Sequence, residues 1–155
     1  MLLVESNAGR FVTTDNIRNL RDFGGYRLSA GGSLLSGRLF RSGDTSEASS
    51  SDLEVIRSIA PVFIADLRGS SERAKAPCRW PDGLNEQVIQ PDGESASIAF
   101  HEEGAVGPQD ALSMREEFAS RYEDMPFRPH LLQVYAAYLH ALSVTDGASI
   151  VFCTA

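Results

Sequence analysis

The chain has 155 residues, 43% of them hydrophobic and 23% charged, with a formal net charge of -7, a composition that suits one globular domain around one core. That negative balance argues against a general nucleic-acid binder, which needs a broad basic face, and no apolar run is long enough for a transmembrane segment. The two cysteines, Cys78 and Cys153, lack metal-ligand spacing and a disulfide framework, so both are expected as reduced thiols, with no metal and no cofactor. Met1-Leu2-Leu3-Val4-Glu5 has no basic region and only a very short apolar stretch. A signal peptide is therefore not expected and a cytoplasmic location is the default, leaving leaderless secretion open.

In chain order, residues 1–14 carry little pattern and read as an extended arm. Asn19-Leu20-Arg21-Asp22-Phe23-Gly24-Gly25-Tyr26 joins an Arg-Asp pair to two glycines that permit close backbone approach. Tyr26–Ser29 and Ser33–Leu35 flank Ala30-Gly31-Gly32, which predicts a β-hairpin, and Gly37–Gly43 predicts a short strand ending in a turn. A helix is expected from a capping box at Ser51 to Glu54, with Leu53, Ile56 and Ala60 on one face and Pro61 closing it. Val62–Ala65 predicts a buried strand that delivers Asp66-Leu67-Arg68, with Glu72 four residues on. A helix followed so soon by a strand is half of a βαβ unit, which implies a parallel sheet. Asp66 and Arg68 then stand at the ligand-bearing edge of that sheet, as an ion pair fixing the loop or as direct ligand contacts.

Residues 74–85, with Pro77, Pro81 and Gly83, predict a loop, and Glu86–Gln90 an edge strand before the turn Pro91-Asp92-Gly93. Residues 94–107 have no apolar period and begin a lid-like insert over 94–128. Helices are expected over Ser113–Glu123, with a capping box from Ser113 to Glu116 and an apolar edge of Met114, Phe118 and Tyr122, and after Pro129, with Leu131, Tyr135, Tyr138 and Leu142. Core packing explains both stripes better than a cofactor role does.

Ala148-Ser149-Ile150-Val151-Phe152 is short, apolar and β-favouring, the pattern of a covered central strand. Its C-terminal end, where an α/β sheet places ligands, carries Cys153. The backbone N–H groups of Thr154 and Ala155 can curl around an anion, so Cys153 reads as a nucleophile opening a phosphate-cradling loop. A packed core thiol is the plain alternative.

Four blocks taken together, Asn19 to Tyr26, Gly37-Arg38-Leu39-Phe40-Arg41-Ser42, Asp66-Leu67-Arg68 with Glu72, and Cys153-Thr154-Ala155, resemble in that order the bacterial and fungal tyrosine phosphatase family, which also contains lipid phosphatases of mycobacteria. The resemblance implies an α/β fold with a mainly parallel central sheet flanked by helices and a metal-free phosphatase whose cysteine takes the phosphoryl group as phosphocysteine. It further implies a phosphorylated protein or phosphoinositide as substrate. Asp92 occupies the slot in which related dual-specificity phosphatases carry their general acid. Trp80-Pro81-Asp82 spells the acid loop of larger tyrosine phosphatases, but it precedes the Val88–Ile89 strand and reads as coincidence.

The chain departs from the family at Phe152, where His is usual. Family members also continue after the equivalent of Ala155 with Gly-Lys-Asp-Arg-Thr-Gly, so the single domain is expected to be cut inside its phosphate loop, without its C-terminal helices and with doubtful activity as it stands. The coding sequence is expected to continue. A catalytically inactive phosphate- or phosphoprotein-binding relative is the main alternative; a rhodanese-like thiol enzyme is disfavoured by the Asn19–Gly25 block.

Overall fold

The computed structural model describes residues 10–91 and 111–154. Their order is β1 (Arg21–Asp22), β2 (Leu39–Ser42), α1 (Ser50–Ile59), β3 (Pro61–Asp66), α2 (Ser70–Lys75), β4 (Val88–Ile89), α3 (Ala111–Asp124), α4 (Pro129–Val144) and β5 (Ala148–Phe152). Among the described residues the strands form one sheet in the order β1-β2-β5-β3-β4. The β2-β5, β5-β3 and β3-β4 pairs are parallel, and β1 joins the edge antiparallel. This is the α/β architecture with a mainly parallel sheet that the alternation of strands and helices predicts.

Apolar residues on both faces of the strands make two layers necessary. Leu20, Phe40, Ile56, Ile64, Ile150 and Phe152 bury together on the α1 side. Phe63, Ala65, Val134 and Tyr138 bury on the α4 side, joined by Val151 and Leu142. Ser149 is wholly buried in the central strand and is satisfied by the Tyr138 hydroxyl at 3.0 Å and the Arg38 carbonyl at 3.2 Å. The α4 stripe is thus core at Leu131 and Tyr138.

The expected arm is extended where it is described: Phe11 bridges antiparallel to Arg21, and Val12 N–H donates to the Leu20 carbonyl at 2.9 Å. The hairpin forms too, with an Arg27–Ser33 bridge. Its root explains the Asn19–Tyr26 block. The Asp22 carboxylate accepts from the N–H groups of Gly24 at 2.7 Å and Gly37 at 2.6 Å, pinning the two ends of the hairpin together. A Cβ on Gly24 would lie 2.2 Å from the Leu35 carbonyl oxygen, so this position tolerates no side chain.

Four expectations change in the structure. The first helix begins earlier, because its capping box is Ser49 with Asp52 rather than Ser51 with Glu54. Asp52 is buried and also accepts from the backbone N–H groups of Asp15 at 2.7 Å and Asn16 at 3.1 Å, and this long-range demand selects the register. The loop expected over 74–85 starts inside α2, a helix too short for apolar periodicity to reveal. Ser113 lies inside α3 rather than capping it, since the helix already includes Ala111. Tyr122, assigned to a core stripe, is 57% exposed. Residues 92–110, which include Asp92 and the first part of the expected insert, lie outside the described residues.

Burial alone would push the Asp52 carboxyl up, but the backbone N–H groups of Ser49, Asp15 and Asn16 outweigh it and hold its pKa below the usual carboxylate value. Because the folded pKa is the lower one, this contribution to stability is complete above an unfolded value of about 3.9 and is lost as the pH falls through the folded value. Asp52→Ala should cost about 2–3 kcal/mol at neutral pH and flatten the acid limb of a urea-unfolding series. Gly24→Ala should cost about 2–3 kcal/mol through its clash, read as a lower urea midpoint with an unchanged slope.

Candidate functional site

The C-terminal ends of the parallel strands converge, since Ser42, Phe152 and Asp66 stand abreast in the register. The segments leaving this edge are Gly43–Ser46 after β2, Cys153–Thr154 after β5 and Leu67–Glu72 after β3. Leu67 N–H donates to the Phe152 carbonyl at 2.9 Å, carrying the sheet pairing one residue past β3. Cys153 therefore emerges from the middle of the sheet and is half-buried.

Asp66 and Arg68 meet as a buried ion pair, each 3% exposed. Arg68 Nη2 lies 2.9 Å from Asp66 Oδ2, and Nε donates to Oδ1 at 3.0 Å. Arg68 Nη1 also donates to the Ala76 carbonyl at 2.8 Å, and the guanidinium carbon lies 5.1 Å from the centre of the Phe152 ring. Burial pulls the Arg68 pKa down, but hydrogen bonds and charge from Asp66 more than restore it. The pair binds the end of β3 to the segment that follows.

Phe152, at the position before the cysteine, is 2% exposed and packs edge-on against Trp80, with ring centres 5.4 Å apart. Trp80 is thus core, while Asp82 is exposed. An aromatic ring locked between Trp80 and Arg68 gives the adjacent thiol no hydrogen bond. The second cysteine, Cys78, packs against the same core, where burial pushes its thiol pKa up.

Thr154 Oγ1 donates to Glu72 Oε1, while Glu72 Oε2 accepts from Gly69 N–H at 2.9 Å. A cleft of about 660 Å³ opens beside Thr154, bounded by Asp15, Arg18, Gly43, Asp44, Ser46 and Glu47 among others. Of its charged lining residues, Asp15, Asp44 and Glu47 are acidic and Arg18 is basic, so the cleft has an acidic balance. Tyr135 on α4 was expected only as core. Burial, and to a lesser extent the charge of Cys153, raises its phenol pKa. Nothing in the linear pattern separates Tyr135 or Arg18 from other helix and loop residues; their positions come from the fold. Asp92 and Ala155 fall outside the described residues. No helix among the described residues is long and apolar enough to cross a membrane.

Asp66→Ala leaves a buried guanidinium without its counter-ion and should destabilise the protein by about 3–5 kcal/mol. Replacing both partners, Asp66→Leu with Arg68→Met, should lose clearly less, and calorimetric unfolding of the two variants checks the difference.

A model of the tyrosine phosphatase family matches residues 12–155. A Cupriavidus necator protein with a provisional tyrosine-protein phosphatase name is 37% identical over 60 residues, a stretch that is 39% of this chain and 22% of the relative's length. The chain thus aligns with about a fifth of that relative. The family match takes in the Asp22 hairpin root, the Asp66–Arg68 pair and Cys153 at the end of the central strand, and the chain belongs to the tyrosine phosphatase family.

Proposed function

We propose that the protein hydrolyses phosphomonoesters with Cys153 as nucleophile. The observation that carries this reading is the place of Cys153 at the C-terminal end of the central strand, with the ends of β2 and β3 beside it. The thiolate sulfur attacks phosphorus, an S–P bond forms, and the ester P–O bond breaks in line with it. The leaving oxygen takes a proton from a general acid, the role assigned to Asp92. Water then attacks the phosphocysteine, giving a proton back to the same carboxylate; the S–P bond breaks, inorganic phosphate leaves and the thiolate is restored. The backbone N–H groups of Thr154 and Ala155 bind the phosphoryl oxygens, and Asp66 with Arg68 supports the edge from which they project. No metal or cofactor enters these steps.

The acidic wall formed by Asp15, Asp44 and Glu47 beside Thr154 favours a phosphotyrosyl protein over a multiply phosphorylated inositol lipid, whose charge it would repel. A second reading, a phosphoprotein-binding relative without turnover, is supported by Phe152. That side chain is buried against Trp80, and a phenyl ring offers a neighbouring thiolate neither positive charge nor a hydrogen-bond donor.

Turnover of para-nitrophenyl phosphate by the full-length protein and by its Cys153→Ser variant tests the catalytic reading. A loss of at least about 1,000-fold in the variant is expected. Equal rates in the two proteins, or no turnover in either, overturn it. Phosphotyrosyl peptides should then show a higher kcat/KM than phosphoinositides, and raised ionic strength should narrow the gap.

A further inference from the structure

We infer that Glu72 is a positioning residue that holds the nucleophile loop through Thr154, an inference that rests on reading Cys153 as the nucleophile. The backbone around Cys153 is held on both sides by the segment that follows β3. Before the cysteine, the Phe152 carbonyl accepts from Leu67 N–H at 2.9 Å. After it, the Thr154 hydroxyl donates to Glu72. Thr154 is exposed, so apolar packing does little to fix it and the hydrogen bond is its anchor.

Glu72 is suited to this because it is itself immobilised. Its other carboxylate oxygen accepts from Gly69 N–H at the start of α2. The next residue, Arg73, donates to the Arg68 carbonyl at 2.6 Å and to the Pro91 carbonyl at 3.3 Å. Arg68 in turn is locked by Asp66. A chain of contacts therefore runs from the buried pair through α2 to the residue after the nucleophile, and the same turn of helix reaches the residue before Asp92. Glu72 acts by geometry, through the hydrogen bond it accepts from the Thr154 hydroxyl.

The test is iodoacetamide alkylation of the protein between about pH 6 and 10, with Cys153 and Cys78 resolved by peptide mass. Thr154→Val should raise the high-pH limiting rate at Cys153 roughly three- to fivefold by releasing a half-buried thiol, and leave Cys78 unchanged. Thr154→Ser should return the rate to within about twofold of the parent. Glu72→Gln can keep both links, its amide oxygen accepting from Gly69 N–H and its amide nitrogen donating to the Thr154 hydroxyl, and should keep the limiting rate. Glu72→Ala with Thr154→Val should react no faster than Thr154→Val alone. A parent-like rate in Thr154→Val, or fully additive effects in the double variant, would overturn the inference. If Glu72→Ala fails to fold, the exposed Thr154 pair still decides. The readout needs no turnover, so a protein without phosphatase activity that shows these rates would sink the catalytic reading and leave the positioning role standing.

Discussion

Strand β5 is hydrogen-bonded along both edges, to β2 on one side and β3 on the other, and the arrangement of the site follows from that two-sided pairing. A strand in this position must be compatible with apolar packing on both faces. Ala148, Ile150 and Phe152 enter the α1-side core and Val151 the α4-side core. Ser149 is tolerated because Tyr138 and Arg38 take up its hydrogen-bonding groups. Register does the rest: with Ser42, Phe152 and Asp66 level, the three segments that follow leave the sheet at the same edge as Cys153.

The electrostatics of the edge are governed by commitment rather than by net charge. Arg68 is a cation beside strand β5, yet its guanidinium is held by Asp66, the Ala76 carbonyl and the Phe152 ring. Using it to bind a phosphate would mean breaking a buried pair, which is costly because the carboxylate left behind is desolvated. Its part is to stiffen the turn after β3, from which Leu67 holds the near side of Cys153 and Glu72 the far side. The same logic applies to Asp22 and Gly24. They carry the family's N-terminal block by closing a hairpin root at which the backbone passes too near for a side chain.

The sequence by itself determined the elements whose signal is local. The β5 pattern, the β3 strand ending at Asp66, the α4 stripe and the Gly31-Gly32 hairpin could all be read from alternation, periodicity and turn residues. The order of the four blocks was enough to expect a parallel phosphatase sheet. Tertiary structure decided whatever depends on partners distant in the chain. The start of α1 was misread because the carboxylate that caps it, Asp52, is chosen by Asp15 and Asn16, more than thirty positions away. α2 was hidden because six residues with none buried carry no apolar period. Whether Asp66 and Arg68 pair or face a ligand could not be told from adjacency, since burial is what makes the pair mutually obligatory. The link from Thr154 to Glu72 spans 82 positions; it exists because β3 and β5 lie side by side, a neighbourhood that hydrogen bonding between strands creates and linear spacing does not encode.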